Sequence, residues 1–282
     1  MSRPIIDMRS RPAFLHDFYG ATPATSEYET AKWLNRRLGS KQDDHFVRSH
    51  TLDGFIEEIR EVGIRHAVVV GRDTPAITIS NETIRDITAP HPELIGIASV
   101  NPQALDSRAI AEEIEKAVNT LGLKGVNIEP GFGAPPIQAD DPLLYPIYDA
   151  CEQLDVPVFL MSGPTTPNLE YANPVAVGKV ARAFSGLSIV CYHGFYPYVN
   201  EMIGVAFRYE NVYVVPDMYI FLPGGSLYVE AANGFMKEQL LFGSSYPFRA
   251  MGQTLDDFIR LGLHEEVLDR VLYQNAKRLL RI

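Results

Sequence analysis

Continuous apolar runs such as RHAVVV, LIGIASV, VPVFLM, LSIVCY and NVYVVP recur along the chain, and most do not alternate apolar with polar residues. Strands that read this way are covered on both faces, as in a parallel sheet. The pattern predicts eight of them, at about residues 3–9, 65–70, 94–100, 123–129, 156–161, 187–193, 211–216 and 239–243. The stretches between them carry apolar residues at helical spacing. They predict helices in TLDGFIEEIREVG, with Thr51 as its cap, and DSRAIAEEIEKAVNTLG, capped by Asp106 or Ser107 and closed by Gly122. Further helices are expected in DPLLYPIYDACEQLD, led by Asp141, in PVAVGKVARAFSG, closed by Gly186, and in the tail HEEVLDRVLYQNAKRLLRI.

Eight strands alternating with helices is the count of an α/β (β/α)8 TIM barrel, for which about 250 residues is typical. A doubly wound open sheet would carry a glycine-rich turn after its first strand, and IIDMRSRP has none. No repeat or linker divides residues 1–282, so one barrel domain is expected. Residues 12–50 make an unusually long connection after the first strand, which in a barrel lies over the mouth where sites form.

Composition narrows the function classes. Of 282 residues 46% are apolar, as in an ordinary globular protein, and 25 Lys+Arg against 35 Asp+Glu give a net charge of −10. Such a charge repels phosphate backbones, so no nucleic-acid partner is expected. Cys151 and Cys191 offer neither a disulfide framework nor a zinc pattern, which points to a reducing cytoplasm. The amino-terminal MSRPIIDMRSRP lacks the order of a secretory signal, and no apolar run reaches the roughly 20 residues that cross a bilayer. A membrane partner is therefore not expected.

Nearly the whole chain resembles the amidohydrolase-related branch of the amidohydrolase superfamily, the group of aminocarboxymuconate-semialdehyde decarboxylase and related aromatic-acid decarboxylases and hydrolases. The likeness rests on IIDMRSRP at the first strand, GLKGVNIEP at the fourth, DPLLYPIYDACEQLDVPVFLMSG into the fifth, YHGFYPYVNEM at the sixth, LLFGSSYPF at the eighth and QNAKRLLRI in the last helix. The resemblance implies a metal-dependent barrel, yet the ligand positions have changed. Where the family has Asp-x-His-x-His, this chain has Asp7-Met8-Arg9-Ser10-Arg11. Met161 stands where a ligating histidine is common, and Ser245 stands where the family has an aspartate. His193 alone persists.

A catalytic zinc takes three protein donors, whereas guanidinium has no lone pair to give and stays charged. No metal and no other cofactor is therefore expected at the inherited site. Period-two alternation puts Asp7, Arg9 and Arg11 on one side of their strand, and likewise Cys191 with His193. Two readings of the arginines follow. They form a receptor for a small carboxylate metabolite, or they are neutralised internally by Asp7, Glu129 or Asp217.

His193, of the one residue type whose unperturbed side chain changes charge near neutrality, is the candidate proton carrier, assisted by Asp217 or Glu129. Arg9, Arg11, Ser245 and Tyr246 are the candidate substrate contacts. The expected function is a metal-independent hydrolase, decarboxylase or hydratase, with a homodimer as the expected assembly. The alternatives are a non-catalytic anion-binding or regulatory barrel, and a metal hydrolase rebuilt from Glu129, Cys191, His193 and Asp217. The basic cluster Arg36, Arg37 and Lys41 reads as a solvated helix end, and the Gly/Pro-rich residues 130–142 as a lid, subunit contact or rigid turn.

Overall fold

A computed structural model describes residues 3–40 and 42–282; Lys41, grouped above with Arg36 and Arg37, lies outside them. Seven parallel strands follow one another around a barrel: β1 (Ile6–Ser10), β2 (His66–Val70), β5 (Leu94–Ser99), β6 (Val126–Ile128), β7 (Val158–Met161), β8 (Ile189–Tyr192) and β9 (Val212–Val215). The eighth predicted strand closes the ring as an irregular segment. Leu241 donates its backbone N–H to Val214 on one side, at 2.9 Å, while Met8 on the other side donates to Phe242 at 3.0 Å. A small antiparallel hairpin, β3 (Arg72–Thr74) with β4 (Ile77–Ile79), follows β2 and was not legible as a separate pair of strands.

The strands are apolar throughout because both faces are buried. Val68, Val70, Phe159, Val190 and Val215 fill the barrel interior, whereas Ala67, Val69, Val158, Ile189 and Val212 pack outward under the helices. Burying each such side chain stabilises the fold by roughly 1.5–3 kcal/mol. Ala276, Leu279 and Leu280 of the last helix join the interior cluster, and Asn275 donates to the carbonyls of Lys237 and Leu240 just before the closing segment. These contacts seal the end where the strands begin, leaving the opposite end for a site.

The helices begin where their side chains satisfy the free N–H groups of the first turn. Thr51 accepts from Gly54 at the head of the helix Leu52–Val62, and Asp106 accepts from Ala109 at the head of Ser107–Glu115. Asp141 likewise accepts from Leu143 at the turn leading into Tyr145–Gln153. Gly122 lies at φ +72 just beyond the predicted second helix. Gly186 does not close its helix, which stops at Ala183 with Phe184 as the capping residue; the Gly186 N–H instead binds Glu152.

Residues 12–40 and 42–50 include two short 3-10 turns and the helices Ser26–Arg37 and Asp44–Arg48, and Phe18, Tyr19 and Leu34 from this stretch cover the mouth as expected. Arg36 and Arg37 are exposed on the last turn of the first of these helices. No helix among the described residues is long and apolar enough to cross a membrane.

Candidate active site

β1 contains a register shift. Asp7 is paired with Ala67 but Ser10 with Val69, so one extra residue intervenes and the phase of the strand reverses. The expected common side for Asp7, Arg9 and Arg11 is thereby corrected. Arg9 and Arg11 enter the barrel, while Asp7 turns to the closing segment and accepts from the Ser244 backbone, the Ser244 hydroxyl and the Arg9 N–H. Burial pushes the Asp7 carboxyl up to about 6, against the pull of those hydrogen bonds.

Cys191 and His193 are separated in a similar way. Cys191 belongs to the layer under the helices, but the chain leaves β8 at Tyr192 and His193 adopts φ +60, which swings its ring to the mouth. Asp217 at φ +40 and Ser245 at φ +60 repeat this left-handed backbone at the ends of the next two segments. Each costs on the order of 1–3 kcal/mol for a residue with a Cβ, and such strain collects where side chains must be aimed.

At the mouth, His193 and Asp217 come together: the ring Nδ1 lies 2.8 and 3.0 Å from the two carboxylate oxygens. The imidazole edge meets Tyr219, whose ring is itself stacked on Tyr196. With Nδ1 held by Asp217, Nε2 is the nitrogen left for chemistry in the cavity that His193 lines.

The arginines divide into one that is committed and one that is open. Arg11 donates from Nε to the Val70 carbonyl, and from Nη2 to the Gly71 carbonyl and, at 2.5 Å, to Glu129. Arg9 has no carboxylate within ion-pair distance among the described residues. Its Nη2 donates 3.0 Å to the weakly accepting Met161 sulfur, its Nε is buried without a partner, and its carbon lies 5.0 Å above the Tyr192 ring. Burial, reinforced by the neighbouring charge of Arg11, lowers the Arg9 pKa to about 10, so it stays cationic near neutrality.

Glu129 sits behind these residues as their counter-ion. Its Oε1 accepts from Arg11 and Asn127, and its Oε2 lies 2.9 Å from Arg72 Nε. Burial would raise its carboxyl, but Arg11, Arg72 and Arg9 together outweigh that and hold it below the ordinary range. Both oxygens are thus engaged on an anion that is hard to protonate, a different setting from that of the proton carrier expected in the sequence. Ser245 is buried with no partner for its hydroxyl, and Tyr246 turns away from the cavity to donate to Glu58 and the His45 carbonyl.

The cavity has about 50 Å³ of space, several times the roughly 10–15 Å³ that one water needs. Arg9, Arg11 and His193 meet there with apolar walls from Phe18, Phe132 and Phe248. The sequence reading missed Arg72 and the wall residues. Arg72 stands two positions beyond the end of a barrel strand, the kind of place where site residues gather, and that position was the available signal.

The donor set does not fit a divalent metal ion. Among the described residues no three His, Cys, Asp or Glu side chains converge as ligands. Cys191 lies on the wrong side of its strand and Glu129 is held between guanidinium groups, so the set considered for a rebuilt centre does not assemble.

A family model described as Amidohydrolase matches residues 45–282. The chain belongs to the amidohydrolase family. An uncharacterized TIM-barrel protein of Bordetella bronchiseptica is 31% identical, with a TM-score of 0.90 over 99% of this amidohydrolase chain and 98% of that one. The 5-carboxyvanillate decarboxylase of Sphingomonas paucimobilis shares the fold at 15% identity, with a TM-score of 0.70 and 100% of each chain covered. A dihydroxybenzoic acid decarboxylase from Polaromonas, solved with bound manganese and 2-nitroresorcinol, is 18% identical with a TM-score of 0.68, over 99% of this chain and 97% of that one. A search of curated proteins finds no match.

Proposed function

We propose that this amidohydrolase-family barrel is a metal-independent acid–base enzyme for a small carboxylated substrate. Arg9 takes the negative charge and His193, oriented by Asp217, moves the proton. The observation that carries the reading is Arg9: a guanidinium buried with no internal carboxylate costs several kcal/mol unless an anion completes it. Arg11, already committed to two carbonyls and Glu129, contributes its field more than its hydrogen bonds.

The chemistry follows from where charge develops. Asp217 accepting from Nδ1–H leaves Nε2 free to take a proton from water or from a substrate hydroxyl, and to return it to carbon or to a leaving group. Arg9 stabilises the oxyanion that grows on the substrate, as preorganised cations do in a dry cavity. A carboxy-lyase would need Arg9 on an oxygen other than the departing carboxylate, because gripping that group stabilises the charge that decarboxylation removes. Hydrolysis and decarboxylation by enolate stabilisation both meet this requirement.

The test is a panel of hydroxy- and keto-carboxylates and lactones, presented to chelator-treated protein and followed for ring opening and CO2 release. Turnover should survive chelation, fall at least about 100-fold in His193→Gln, and lose substrate affinity in Arg9→Met. Activity restored only by added zinc or manganese would overturn metal independence. Carboxylate-induced thermal stabilisation without product would favour the non-catalytic binding barrel.

A further inference from the structure

We propose that Arg72 is a positioning residue that keeps Glu129 off Arg9, and so keeps the anion seat open; this rests on the reading of Arg9 as the anion receptor. Asp217 is held by His193 and reaches Arg9 only through its field, so the ion pairs among the guanidiniums must be made by one carboxylate: Arg9, Arg11 and Arg72 share Glu129. Glu129 feels all three cations, yet it is in ionic contact with only two, Arg11 through Oε1 and Arg72 through Oε2. One negative charge divided between two guanidiniums leaves the third, Arg9, without an ion-pair partner; all three line the cavity, and Arg9 alone among them brings no carboxylate with it.

Arg72 can play this part because it is itself fixed. Its Nη1 donates 3.2 Å to the Tyr19 hydroxyl, and its carbon lies 5.4 Å from the Phe18 ring centroid and 5.2 Å from that of Phe132. Phe18 and Tyr19 belong to the segment lying over the mouth and Phe132 to the loop after β6, so two covering elements hold the guanidinium against Glu129. Without it, Oε2 would be a buried carboxylate oxygen with no cation, a costly state. Arg9 is the remaining cation within its influence. Glu129 would then turn to Arg9 and close the seat from inside.

The full-length chain is titrated calorimetrically with benzoate, a carboxylate on an apolar ring that suits the aromatic walls, and the Arg72→Met variant is crystallised. We expect Arg72→Met to bind benzoate at least tenfold more weakly and Arg72→Lys to stay within about threefold of wild type. Adding Glu129→Gln to Arg72→Met should restore binding by a larger factor than Glu129→Gln raises it in the wild-type background, whereas a structural role or a direct contact of Arg72 with the anion would leave the two factors alike. A double variant as weak as the single one overturns the proposal. If Arg72→Met does not fold, the uncharged Arg72→Gln takes its place in each arm. If wild type binds no benzoate, the anion reading falls, and the crystal structure still decides this proposal. Glu129 within ion-pair reach of Arg9 supports it, and Glu129 on Arg11 alone with Arg9 open overturns it.

Discussion

Asp7 couples the stability of the barrel to pH. Its carboxyl is fully buried, accepts three hydrogen bonds from Ser244 and the Arg9 N–H, and is still raised by burial from 3.8 to about 6. A folded-state value above the unfolded one means that the protonated form is favoured by folding. The stabilisation is complete below about pH 3.8 and is lost as pH rises through about 6, with a magnitude of about 3 kcal/mol. In Asp7→Asn this contribution should vanish. Urea denaturation of both proteins between about pH 4 and 7 should show wild type losing stability relative to the variant as pH rises, and parallel curves would contradict it. The left-handed residues His193, Asp217 and Ser245 were invisible to pattern reading, because a lone strained φ leaves no periodic trace; only their place at segment ends hinted at them.

At the scale of elements, the sequence carried the strands and helices wherever burial is two-sided or a cap is side-chain based. VPVFLM could be read as a buried strand because every residue of β7, Val158–Met161, is enclosed. The hairpin β3–β4 could not be read, since three-residue strands are too short for any period to show. Which side chains share a face was legible only as far as alternation holds, and it fails twice: at the register shift in β1 and where His193 leaves β8. Caps fared better, because Asp106 meets the Ala109 N–H at 2.9 Å through local geometry alone. Replacing it in Asp106→Ala should cost about 1 kcal/mol, read as a lower denaturation midpoint with an unchanged slope and unchanged carboxylate binding.

For the whole molecule, a chain of net charge −10 keeps a cationic hollow under an aromatic cover. Diffuse surface charge repels approaching anions out to a Debye length of about 8–10 Å, beyond which salt screens it, so raising ionic strength should weaken that repulsion and speed carboxylate association. Stopped-flow rates that fell with salt would place the local arginine field, not the overall charge, in control of encounter. The barrel itself was legible as a count of elements and Glu129 was among the partners expected for the arginines, whereas its choice of Arg11 over Arg9 depends on the Val70 and Gly71 carbonyls, which no spacing connects to them.

The register shift in β1 has a consequence for redesign. Because the main chain aims positions 9 and 11 inward, whatever residues occupy them will be delivered to the same hollow. Arg9→His, Arg11→His, Met161→His and Ser245→Asp together, with His193 retained, should let the barrel take up zinc stoichiometrically in elemental analysis while the parent chain, equally loaded, stays free of it. The same main-chain path would then hold a cation where it now offers a seat to an anion.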